Sequence, residues 1–84
     1  MTLALYVLDV PEFEPVVHTA EAAGMAVRHT GDYLELSSAA DEVVLRRDPA
    51  AIRTAVWFAT LTGGLDGRIV AFTADTLHLA KEAV

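Results

Sequence analysis

The alternation of apolar and polar positions divides the chain into strands of two kinds and two helical stretches. Leu3 to Leu8, LALYVL, is apolar on both alternating faces, the pattern of a central strand covered on two sides. Asp9 and the prolines end it. Pro11 and Pro15 both suit first-turn positions, so a helix is predicted from near Pro15 to Gly24, with Val16, Val17, Ala20 and Ala23 turned inward and Gly24 as the stop.

MAVRHTGDYLELSS is the most informative stretch. Gly31-Asp32 separates two alternating segments, and glycine in first place suits a tight primed hairpin turn. With that pair at the tip, Thr30 faces Tyr33, His29 faces Leu34, Arg28 faces Glu35 and Val27 faces Leu36. Apolar then meets apolar and cation meets anion, so composition and turn chemistry select the same register.

After a loop around Ser38 to Asp41, EVVLRR is expected to return as a third strand of the same sheet. Val43 and Leu45 would lie on the Leu34/Leu36 face and Arg46 beside Tyr33. Asp48-Pro49 reads as an N-cap followed by proline at the first helical position, opening a second helix that runs to about Thr62. Ile52, Ala55, Val56, Trp57, Phe58, Ala59 and Leu61 spread apolar character well beyond the usual stripe of roughly 100°. A sheet buries one side of such a helix. Trp57, Phe58 and Leu61 are therefore expected at a contact with another chain or a ligand.

The glycines of FATLTGGLDGRIV follow a helix, whereas a phosphate-cradling loop places them after a strand and before a helix, where backbone N–H groups face the anion. A helix C-terminus carries the opposite partial charge. Gly63 is accordingly read as a left-handed cap and Gly67 as a turn residue. RIVAFT, Arg68 to Thr73, is a further strand apolar on both faces. TLHLA then alternates as a hairpin partner with Leu77 and Leu79 inward; Asp75 offers the alternative of capping a terminal helix over TLHLAKEAV, and the strand is preferred. The predicted fold is α+β: strand, helix, three strands, helix, then one or two strands, a mainly antiparallel sheet with two helices on one face.

Composition turns attention to the surface. A chain of 84 residues forms one domain and buries only about 60–65% of its surface on folding, yet 54% of its residues are hydrophobic and its mean hydropathy is positive. Apolar area is expected to remain outside after the monomer folds, and homodimerisation is the simplest way to cover it. The net charge of -6 disfavours phosphate backbones and anionic lipid heads, which argues against nucleic acid and membrane partners. The absence of cysteine removes disulfides, thiolate zinc sites and cysteine nucleophiles, and suits a reducing compartment. No apolar run reaches the roughly 20 residues a bilayer demands, and the start lacks the features of a secretory signal; a soluble, cytoplasmic protein is expected.

Candidate chemistry is sparse. Glu14, His18 and Glu21 share one face of the first helix, but without a fourth partner they are read as a solvated face, and no metal or cofactor is expected. Arg28, Tyr33, Glu35 and Arg46 form the principal candidate ligand-binding set, an arginine pair and a phenol for a carboxylate with Glu35 as acid or base. Simple cross-strand charge pairing is the competing reading. His29 falls near the end of the apolar face and His78 on the face away from Leu77 and Leu79. Ser37 and Ser38 lie at a strand end with no nucleophile-elbow pattern.

The expected function is a small acidic homo-oligomeric binding or regulatory module, non-enzymatic, for a protein partner or a small apolar-anionic ligand. The alternatives are a metal-independent isomerase or lyase using the polar cluster, and an acidic inhibitor of another protein.

Overall fold

A computed structural model describes residues 3–82. The predicted hairpin forms as read. Strands β2 (Ala26–Thr30) and β3 (Tyr33–Ser38) pair antiparallel in the register Val27↔Leu36, Arg28↔Glu35, His29↔Leu34 and Thr30↔Tyr33. Gly31 alone takes a positive φ, 64°, at the first turn position, as a primed turn of the type II′ kind requires. Strand β1 (Leu3–Leu8) lies on the other side of β3, and a two-residue strand β5 (Leu65–Asp66) completes a first sheet of order β2-β3-β1-β5.

Proline sets the entry to the first helix. Pro11–Phe13 makes a 3-10 turn and α1 (Glu14–Ala22) follows with Pro15 in its first turn; the helix ends before Gly24, whose φ is 90°. Val16, Val17 and Ala20 are buried, while Ala23, expected inward, is exposed at the C-cap.

The third strand does not join the sheet of the hairpin. Strand β4 (Glu42–Arg46) pairs with β7 (Thr76–Ala80), which also pairs with β6 (Arg68–Phe72), giving a second antiparallel sheet of order β4-β7-β6. Val43 and Leu45 do point inward, opposite Leu79 and Leu77. Alternation fixes which side of a strand is buried and is silent on which strand it pairs with. The last segment is thus a strand, not a helix, over Thr76–Ala80; residues 83–84 of the helical alternative lie outside the described residues. The chain is α+β as predicted, with its strands divided between two sheets.

The second helix is the larger departure. Asp48 caps a single turn, its Oδ1 accepting from the Ala50 N–H at 3.0 Å, but Arg53 is extended at φ -68°, ψ 150°. Helix α2 occupies only Thr54–Phe58, and a 3-10 turn follows over Thr60–Gly63. The continuous helix from Pro49 to Thr62 is broken into three short turns, each aiming its apolar residues differently. Arg47 holds the break in place: its Nε donates to the Ala74 carbonyl at 2.6 Å and its Nη1 to that of Ile52 at 2.9 Å. One cluster of buried side chains unites both sheets, α1, Ile52 and Trp57.

Gly63 is not the left-handed cap. The positive φ values fall at Gly64 (113°) and Gly67 (147°). A Cβ at Gly63 would collide with the Tyr6 carbonyl oxygen and sit 3.1 Å from the Tyr33 ring, so glycine is needed there because two backbones meet.

Candidate binding surfaces

The hairpin register brings Arg28 and Glu35 together as expected, and β1 adds a residue the sequence did not single out. Tyr6 lies directly opposite Glu35 in the β1–β3 pair. Glu35 Oε2 accepts from the Tyr6 hydroxyl at 3.0 Å and from Arg28 Nη2 at 3.1 Å, uniting three strands across the outer face of the first sheet. The Tyr6 phenol is held above its ordinary pKa. Its hydrogen bond to Glu35 is the largest cause, followed by desolvation and by the negative charges of Glu35 and Asp66, with Arg28 pulling the other way. Tyr33 is on the same face, opposite Leu8, its ring over Gly63.

Arg46 does not belong to this group. It pairs with Thr76 in the second sheet and lines a shallow cleft of about 350 Å³ with Val44 and the end of α1. A second cleft of about 350 Å³ lies between Pro11, Pro15, Ala51 and Val56, edged by Glu12 and Arg53. Neither cleft is lined by Arg28, Tyr33 or Glu35. The Arg28 side chain is 71% exposed and that of Glu35 18%, the geometry of a cross-strand pair between a wet cation and a largely covered anion.

Each described strand histidine lies beside a carboxylate. His29 Nδ1 is 3.3 Å from Asp9, with its side chain largely exposed, and His78 Nε2 is 2.8 Å from Glu42. Among the described residues no three of His, Asp and Glu come together in a metal-binding arrangement, and Glu14, His18 and Glu21 each face solvent.

The three residues expected at an assembly surface separate. Trp57 is 0% exposed: its Nε1 donates to the Thr73 carbonyl at 2.7 Å and its ring meets Phe72 edge-on at 6.1 Å. It is a core residue, because the short α2 turns it fully under β6. Leu61 is partly buried against the same core. Phe58 remains outside, 46% exposed, its ring 5.2 Å from that of Phe72.

Phe58 marks one end of a larger apolar ledge. Register places Ile69 opposite Leu79 and Phe72 opposite Leu77, so both lie on the core side of the second sheet, yet Ile69 is 50% exposed. The core side of β6 is covered at Phe72, which packs against the core, and left open at Ile69. Val70, at the irregularity between Ile69 and Ala71, is also exposed. The ledge is also where the chain's charge thins out. Eleven of the twelve acidic residues lie outside residues 49–74, and that stretch carries only Asp66 against Arg53 and Arg68.

No protein family, no curated protein and no solved structure matches this chain. Among the described residues no helix is long and apolar enough to cross a membrane.

Proposed function

We propose that this chain is a small self-associating binding module that acts without catalysing a reaction. Its uncovered apolar end joins copies, and its remaining surface is offered to a protein partner or a small apolar-anionic ligand. The supporting observation is the ledge of Phe58, Phe72 and Ile69, where Phe58 and Ile69 are about half exposed and which lies in the one long stretch of the chain nearly free of acid. Exposed apolar side chains gathered on one edge of a domain often form an interface. With a net charge of -6 on each copy, a joint in this stretch brings few acids together. A cytoplasmic setting belongs to the same proposal, supported by the absence of cysteine. The acid–base role for Glu35 is not advanced: one of its oxygens already bonds Tyr6 and Arg28, as a structural cross-strand pair does.

Light scattering on the wild type and on Phe58→Ser tests the proposal. An aromatic side chain presents roughly 200 Å², so with Phe58 46% exposed about 90 Å² per copy is available to be covered. At about 25 cal/mol per Å² this is about 2 kcal/mol per copy. Two copies in a symmetric joint should therefore lose about 4 kcal/mol, and dissociation should become about a thousandfold easier. A wild type that stays monomeric at millimolar concentration would remove the reading.

A further inference from the structure

The two sheets have four edges, and three of them are protected in recognisable ways. β5 is only two residues long. β2 carries Arg28 and His29 in its middle. β4 begins with Glu42, ends with Arg46 and has α1 beside it across the shallow cleft. Short length, charge and cover are the devices by which proteins stop a strand from recruiting another. β6 is the least protected of the four: it pairs with β7 alone among the described residues, and although Arg68 opens it and its pairing is irregular at Val70, Ile69, Val70 and Ala71 in its middle are uncharged and exposed.

We propose that β6 is the joint between two copies of this chain, the strands pairing antiparallel about a two-fold axis to make one sheet of order β4-β7-β6-β6-β7-β4. This deepens the self-association reading above and rests on it. A two-fold normal to the sheet sets the core sides of both copies on the same side, so the Ile69, Phe72 and Phe58 ledges meet and cover each other. A second copy fits better than an unrelated strand for two reasons. The surface is apolar and nearly acid-free on both partners at once, and the same short strand serves as its own complement. The two-fold closes the assembly at two copies, because each β6 edge is used once.

The chain has no cysteine, so single introduced thiols report contacts cleanly. Ile69→Cys, Val70→Cys and Ala71→Cys are compared with Val44→Cys on β4 and Thr30→Cys on β2 under air oxidation, with light scattering on the wild type alongside. The expected result is a wild-type dimer, with disulfide-linked dimers from at least one β6 variant and none from the two controls. A wild-type dimer whose cross-links form at Val44 or Thr30 and not in β6 overturns this joint while leaving self-association standing. A monomeric wild type overturns both. Ile69→Lys supplies a second reading: with an unchanged circular dichroism spectrum it should weaken association about 100-fold or more by burying a cation from each copy within the joint. Unchanged association would refute the joint.

Discussion

Replacing Trp57 decides between two incompatible roles for the chain's single tryptophan. If Trp57 belongs to the core, Trp57→Ala removes a fully buried ring and leaves a cavity, a loss of about 3–5 kcal/mol. The whole domain, at about 0.05–0.15 kcal/mol per residue over 84 residues, holds about 4–13 kcal/mol. The substitution should therefore remove between about a quarter and the whole of the domain's stability. Trp57→Phe keeps most of the apolar ring and removes the Nε1 donor, leaving the Thr73 carbonyl without that partner, which costs about 1–3 kcal/mol. With a urea slope of about 1 kcal/mol per molar for so small a protein, the midpoint should fall by about 1–3 M for phenylalanine and by about 3 M or more for alanine. Urea unfolding followed by far-ultraviolet circular dichroism, at two protein concentrations tenfold apart, makes the measurement. A core role predicts the same loss at both concentrations. The reasoning is refuted if Trp57→Ala unfolds at the wild-type midpoint in dilute solution and alters only the state of association.

Two further outcomes test the bonds described above. Arg47→Ala should lower stability by about 2–4 kcal/mol, because two charge-assisted bonds to the Ala74 and Ile52 carbonyls are lost together; Arg47→Lys should recover little, since a single ammonium does not reproduce the planar fork, and thermal melts of both variants check this. The Tyr6 phenol is raised above its ordinary 10.0, so it favours the folded state fully below pH 10 and ceases to do so as pH climbs through its folded value. The wild-type urea midpoint should accordingly fall more steeply above pH 10 than that of Tyr6→Phe; parallel slopes would show that the bond to Glu35 has no energetic consequence.

What the sequence disclosed was local. The β2–β3 register needed only a two-residue turn and the match of neighbouring side chains, so Arg28 and Glu35 were paired correctly. The inward sides of Val43 and Leu45 were equally plain, but their partner strand lies more than thirty residues further along the chain, and nothing in a binary pattern distinguishes β7 from β3. Arg46 was lost from the polar group for that reason alone. Tyr6 was hidden by the opposite effect, a polar tip on an aromatic ring in an otherwise apolar strand, visible only once β1 is known to lie beside Glu35. The long apolar run after Pro49 resembled one helix because periodicity does not register a tertiary break; Arg47 holds the chain extended at Arg53, and that turn carries Trp57 inward and leaves Phe58 out.

The crossing of the chain between the two sheets also determines how this domain can be assembled. The backbone leaves the first sheet after Ser38, enters the second at Glu42, returns for Leu65 and Asp66, and leaves again. A segment ending at Ser38 would hold three strands and a helix without Val43, Leu45, Ile52, Trp57, Leu77 and Leu79, which complete their buried cluster, and the remainder would be equally incomplete. Each fragment lacks the wall that the other provides. Cleavage in the loop at residues 39–41 should therefore give two pieces that are disordered apart and fold only on mixing, as mutual templates, so that solubility during synthesis depends on the last strand, Thr76–Ala80, having emerged.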